Sequence, residues 1–175
     1  MNPYEKLPIG DKSPEVVNVV IEIPKGSHNK YEFDEKLGVF KLDRVFYSSV
    51  HFPMDYGFIP ETRSEDGDHL DVLVMGSDPV QPGFLVEARP IGLIHMIDSG
   101  EQDNKIIAVQ EKNPRFKEVK DLKDVEGFNP HFIKEVVNFF ETYKLLQGKE
   151  VRVTEIRGAD EAKSEIRRAQ EMYKK

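Results

Sequence analysis

Six residues, Leu70 to Met75, do most to limit the folds open to this chain. They read LDVLVM. Leu70, Val72 and Val74 recur at every second position, the period of a strand, which puts Asp71 on the opposite face with Leu73 and Met75. A carboxylate inside an apolar strand is costly to desolvate unless a cation or a donor stands beside it. Asp66 and Asp68 precede it on a Gly-containing turn, so three aspartates fall within six residues. Each added carboxylate makes a donor a poorer answer and a cation a better one. A compact set of oxygen ligands suits a hard divalent ion such as Mg²⁺. The same residues also read as an acidic Gly turn that only solvates a surface loop. An EF-hand loop is excluded, because its fifth and sixth positions counted from Asp66 hold Leu70 and Asp71.

The flanking sequence sets this strand among others. Residues 1–15 are rich in Pro, Gly and charge and read as an irregular lead-in. Val16 to Ile23 (VVNVVIEI) reads as a buried strand, with Glu22 either misplaced in it or on an edge facing solvent. Lys30 to Arg44 reads as a β-hairpin bending at Asp34 to Gly38, with Lys30 and Glu32 projecting from one face. The aromatic, Pro-punctuated segment from Val45 to Glu61 is expected to be a packed loop or short strand. Phe84 to Ile94 reads as a strand interrupted by Pro90, implying an edge or a bulge. Met96 to Val109 is a second acidic loop, with Asp98 and Asp103 about Gly100 and a strand opening at Lys105. Glu111 to Phe128 is charged and reads as irregular. Asn129 and Pro130 carry the N-cap and first-turn signals of a helix whose apolar residues run from Phe132 to Tyr143, with Gly148 as its stop. Lys149 to Ile156 alternates as a strand. The tail from Ala159 carries Ala162, Ile166, Ala169 and Tyr173 on one helical stripe.

Strands therefore outnumber helices and do not alternate with them, which argues against a doubly wound sheet. The expected fold is mainly β with helices (α+β): a small closed, OB-like five-stranded β-barrel in meander order, with two C-terminal α-helices packed on it. At 175 residues the chain reads as a single catalytic domain, 1–175. There is no cysteine, which excludes disulfides, zinc–thiolate sites and thiol catalysis. No apolar run approaches the ~20 residues of a membrane span, and the N-terminus lacks the basic and apolar pattern of a signal peptide. A cytoplasmic location and no membrane partner are expected. The net charge of −7 argues against nucleic acid as a partner, since an OB-like oligonucleotide-binding module favours a basic groove with stacking aromatics.

The unusual groups form a chemical kit. The acids are Glu22, Glu32, Asp66, Asp68, Asp71, Asp98 and Asp103. The bases are Lys30, Arg44, Lys105 and Lys144, and Tyr56 and Tyr143 are phenols. No Gly-rich nucleotide loop, GxSxG elbow or HExxH helix is present. Two acidic Gly turns, each feeding a strand, can bring their carboxylates to one end of one sheet. Many carboxylates beside several cationic side chains fit metal ions facing a polyanion, and metal-assisted phosphoryl transfer to water is the reaction class such a kit serves. Another metal-dependent phosphohydrolase, acting on nucleotides or phosphoesters, would use the same groups.

The run Asp66-Gly67-Asp68-His69-Leu70-Asp71 resembles the DxDPxD-type signature of the family I soluble inorganic pyrophosphatases of prokaryotic type. The resemblance spans nearly the whole chain. It includes VVIEIPKG at Val19 to Gly26, NKYEFD at Asn29 to Asp34, KLDR at Lys41 to Arg44 and YGFIPET at Tyr56 to Thr62. MIDSGEQDNKIIAV at Met96 to Val109 and FFETYK at Phe139 to Lys144 follow in the same order and spacing. It implies Mg²⁺-dependent hydrolysis of pyrophosphate to two orthophosphates by direct attack of a metal-bound water or hydroxide, without a covalent intermediate. It implies that Asp66, Asp71, Asp98, Asp103 and Glu22 hold several metal ions, with Mn²⁺ or Zn²⁺ as substitutes. Asp68 becomes the catalytic base. Lys30, Arg44, Tyr56, Tyr143 and Lys144 grip the phosphates, and Glu32 and Lys105 line the site. The family resemblance also implies a homo-oligomer, a hexamer. Two positions depart from the pattern. His69 replaces the signature's Pro, which frees the turn and lets an imidazole contact a neighbour. Phe52 stands where many relatives have Tyr, which removes one phenol.

Overall fold

A computed structural model describes residue 4 and residues 6–175; the rest of the expected lead-in lies outside the described residues. The strands are β1 (Val17–Ile23), β2 (Asn29–Asp34), β3 (Val39–Val45), β4 (Asp55–Ile59), β5 (Leu70–Met75), β6 (Leu85–Asp98), β7 (Glu101–Gln102), β8 (Lys105–Gln110) and β9 (Val151–Gly158). The helices are α1 (Leu122–Phe128), α2 (Phe132–Thr142) and α3 (Ala159–Tyr173).

Five strands pair in a ring. The order β1-β4-β5-β8-β6 returns to its start because β6 also pairs with β1, from Val17 opposite Ala88 to Val20 opposite Leu85. Ring closure removes the exposed edges that a flat sheet of these short strands would carry. β9 extends the long β6 outside the ring, and β2 and β3 form a separate two-stranded sheet. The expected meander is corrected: β5 and β8 lie side by side in parallel, Asp71 against Lys105, because the chain makes β6 and β7 before returning. Pro90 marks a bulge and not an edge; β6 pairs with β1, β8 and β9, and the register shifts between Pro90 and Gly92.

Alternation supplies two cores, one on each face of the strands. Leu70, Val72 and Val74 join Val19, Ile21, Ile106 and Ala108, with Ala162, Ile166 and Ala169 of α3 packed against them. Leu73, Ile107 and Val109 join the aromatic face of α2, Phe132, Phe139, Phe140 and Tyr143. Gly57 makes the closest strand approach: a Cβ there would lie 1.9 Å from the Val20 carbonyl oxygen.

Two helical readings are corrected. The segment expected to be irregular, Glu111 to Phe128, holds a 3-10 turn at Pro114–Phe116 and then α1. The start signal is Asp121, whose side chain accepts from the Lys123 amide while Asp124 reaches back to the Asp121 amide. Asp at the third position forms the same reciprocal cap as the usual Glu, on a shorter arm. Asn129 then ends α1, its amide donating to the Val125 carbonyl, and α2 begins at Phe132. The N-cap position of α2 is taken by His131, whose side chain makes no capping bond, so the Asn-Pro start signal of the sequence falls on the residue that ends α1. Gly148 does end the turn that continues α2, at φ 68°.

Candidate active site

The loop from Thr62 to Leu70 is held from its base. The buried Thr62 hydroxyl donates to the Ile59 carbonyl at 2.5 Å and accepts the Leu70 amide at 2.9 Å. Gly67, at φ 88°, turns the chain, and Asp66 Oδ1 accepts the Asp68 amide at 3.0 Å. This delivers Asp68 and Asp71 to a cavity of about 420 Å³. Glu22 reaches it from β1, Tyr56 and Phe58 from β4, and Lys30 and Glu32 from the separate hairpin.

Asp71 is the hub. Tyr56 Oη donates to its Oδ2 at 2.6 Å, and Lys105, beside it on β8, bridges it to Asp103. Burial alone would lower the Lys105 pKa, but Asp71 and Asp103 outweigh that and hold the ammonium charged. Tyr56 is pushed well above its ordinary value by burial and by the nearby Asp71 and Asp103 charges, so it stays a phenol and a donor. Burial, then the repulsion of Asp71, raise Glu22 to about 8, although the Phe33 amide donates to it at 2.7 Å. Burial also raises Asp68, with Asp66, Asp71 and Glu32 adding to the effect. Asp103 is raised by burial and by Asp71, against the pull of Lys105.

A second group adjoins the hub. Lys144 pairs with Asp98, and Tyr143 Oη lies 3.4 Å from Asp98 Oδ2. Burial would raise Asp98, but the Lys144 contact prevails and holds it low. Burial lowers Lys144, and the positive Arg44 and Lys30 on the hairpin assist, against the pull of Asp98. Burial and the Asp98 charge raise Tyr143. Arg44 itself pairs with Asp43 at 3.0 Å, and Lys30 pairs with Glu32 and stands 3.9 Å from Asp43.

Of the residues singled out from sequence, Glu22, Lys30, Glu32, Tyr56, Asp68 and Asp71 line the cavity itself. Asp103 and Lys105 join through Asp71, and Asp66 through Asp68. Asp98, Tyr143, Lys144 and Arg44 stand in the neighbouring group and not in the cavity wall. Sequence reading missed Asp43, which ties Lys30 and Arg44 together, and Glu35 and Lys36 at the hairpin tip, which line the cavity. Charged residues in a hairpin bend carry no signal of their own until the bend is known to face a site. Phe52 is buried behind Tyr56, ring centroids 5.3 Å apart, and packs on Phe46 and Phe139.

Among the described residues, no three His, Asp or Glu side chains are gathered into a ready ligand group. The ammonium of Lys105 occupies the gap between Asp71 and Asp103 instead. The donor chemistry nonetheless fits a hard divalent cation. Every candidate ligand is a carboxylate oxygen, and Glu22, Asp68 and Asp103 are desolvated carboxylates that repel their neighbours, a cost a bound cation would offset.

The sequence matches the family described as Inorganic pyrophosphatase over residues 19–174. It is 45% identical over 175 residues to the inorganic pyrophosphatase of Picrophilus torridus, covering 100% of this chain and 97% of that protein. Against a soluble inorganic pyrophosphatase of Oryza sativa it is 46% identical over 172 residues, 98% of this chain and 79% of that one. The crystal structure of inorganic pyrophosphatase from Thermus thermophilus superposes with a TM-score of 0.94 at 46% identity over 100% of both chains.

Proposed function

The chain belongs to the inorganic pyrophosphatase family, and on that premise we propose that it hydrolyses pyrophosphate to two orthophosphates with Mg²⁺, by direct attack of water. One observation carries the reading: carboxylates from β1, the Thr62–Leu70 loop and β5 share a single cavity with Lys30 and Tyr56.

Asp66, Asp71, Asp98, Asp103 and Glu22 would hold the ions, which when bound neutralise phosphate oxygens and lower the pKa of a water. Mn²⁺ and Zn²⁺ carry the same charge and are proposed substitutes. The protein's own groups do the rest. Pyrophosphate is a polyanion, and Lys30, Arg44 and Lys144 supply positive charge to it, with Tyr143 and Tyr56 as neutral donors. Asp68 extends into the cavity from a loop pinned at Thr62, and its raised pKa makes it a better proton acceptor than an ordinary aspartate. Asp68 takes the proton from the attacking water, while the cationic side chains hold the phosphate that leaves. Lys105 keeps Asp71 and Asp103 at a fixed separation, and Glu32 holds the Lys30 ammonium. No nucleophilic side chain is needed, so no covalent intermediate forms.

Residues 1–175 act as one catalytic domain in this reading. It also takes the protein to be cytoplasmic and, by family resemblance, a homohexamer, which sedimentation measures directly. Phosphate release from pyrophosphate, ATP and a phosphomonoester, each with and without Mg²⁺, tests the function. Rapid release from pyrophosphate only in the presence of the ion is expected; turnover of ATP or the ester at a similar rate would assign the site to a different phosphohydrolase.

A further inference from the structure

The hairpin of β2 and β3 forms its own sheet, so backbone pairing to the ring does not orient it. It nevertheless carries Lys30, Glu32 and Arg44. Side chains must therefore set its angle over the Asp66–Asp71 loop. Among the described residues, the contacts near the cavity include, first, the Glu22 carboxylate on the Phe33 amide, second, the Phe33 ring on Phe58 at 6.2 Å, and third, the hairpin tip on His69 and Arg63. Tyr4 adds ring contacts with Phe33 and Phe40.

The third contact uses the residue that departs from the family signature. The His69 ring stacks on Phe58, centroids 4.9 Å apart and planes 12° from parallel. Its Nδ1 lies 2.9 Å from the Thr62 carbonyl oxygen and 3.2 Å from Arg63 Nη1. Its Nε2 faces Glu35 Oε1 at 3.1 Å, and Arg63 Nη1 reaches the same oxygen at 3.6 Å. With its single proton on Nε2, the neutral imidazole donates to Glu35 at the hairpin tip and accepts at Nδ1 from Arg63 Nη1 of the aspartate loop. A proline has no group that makes either polar contact.

We propose that His69 is a positioning residue, a latch that fixes the hairpin carrying Lys30 and Arg44 at its working distance from the loop carrying Asp66 and Asp68. The proposal rests on the pyrophosphatase reading of the site. With the latch released, the hairpin samples open arrangements, and only the closed fraction binds the polyanion. The apparent affinity falls by that fraction while the chemistry of the closed complex is kept.

The test compares wild type, His69→Ala, Glu35→Gln and the double variant. Glu35→Gln changes no residue of the aspartate loop, though it removes a charge that faces Arg63 and Asp68, and it serves if His69→Ala folds poorly. Each single change is expected to raise KM for pyrophosphate about five-fold, with kcat within about two-fold. The double variant is expected to fall short of the sum of the two single effects, because both changes break the His69–Glu35 contact while Arg63 still reaches Glu35 in His69→Ala. Amide hydrogen exchange of residues 29–45 is expected to accelerate in all three variants. Unchanged KM with unchanged exchange in Glu35→Gln, or strictly additive effects, would overturn the latch. Absence of pyrophosphate turnover in the wild type would instead remove the functional reading, and the exchange data would still decide whether His69 holds the hairpin.

Discussion

Asp68 and Asp71 are three residues apart, yet the structure treats them differently. Asp71 is engaged from two sides, by the Tyr56 phenol and the Lys105 ammonium. Asp68 faces the cavity, where burial and the charges of Asp66, Asp71, Glu32 and Glu35 raise its pKa. A carboxylate held in place by donors suits ligation, and one left basic suits proton transfer. Asp68→Asn is therefore expected to keep Mg²⁺ affinity, measured by calorimetry, and to lower kcat by about 10²- to 10⁴-fold. Equal losses of affinity and rate would make Asp68 a ligand. At this scale the five aspartates of the proposed set stand out in the sequence, because a carboxylate in an apolar strand and two acidic Gly turns are local patterns. Glu22, Lys30, Arg44, Tyr56, Tyr143 and Lys144 instead took their proposed roles from the family resemblance. Asp43 and Glu35 do not stand out, since their roles exist only through residues that the fold brings near them.

Elements hold these residues by close approach and by charge. β1 and β4 meet where Gly57 lies under the Val20 carbonyl, leaving no room for a Cβ. Gly57→Ala forces the two strands apart and is expected to cost about 3 kcal/mol in chemical denaturation. α3 is tied across both acidic loops. Arg168 contacts Glu65 beside Asp66 and holds Glu165 through two nitrogens at 2.7 and 3.0 Å, while Glu165 accepts from Asn104 beside Asp103. Burial would raise the Glu165 pKa, but Arg168 and Asn104 prevail and lower it below the ordinary 4.5. A lowered native pKa contributes stability that is present above the unfolded value and lost as pH falls through the native one. Wild type is thus expected to exceed Glu165→Gln by about 0.5–1 kcal/mol at pH 7, since Arg168 is partly exposed. Thermal scans at descending pH should show that margin closing below pH 4.5. Periodicity located α2 and α3, but α1 escaped it because seven residues present too little of a helical face to register.

The whole molecule separates two cores with one set of strands and places the acidic cluster where the hairpin and α2 meet the ring. Carboxylates concentrated there repel one another, a cost to folding that a bound cation would offset. Mg²⁺ at a hundred times its Kd is expected to stabilise the protein by about 2.7 kcal/mol, read as a rise in Tm that chelation reverses. No rise would remove the metal from the site. Taken alone, the sequence determined which residues are chemically out of place and which segments alternate as strands, because both follow from neighbours along the chain. Only the tertiary structure decided that β5 lies parallel to β8, that Lys105 stands between Asp71 and Asp103, and that His69 meets Glu35. Those pairings join residues far apart in sequence, and which of them form depends on how the ring closes, a property that no local pattern encodes.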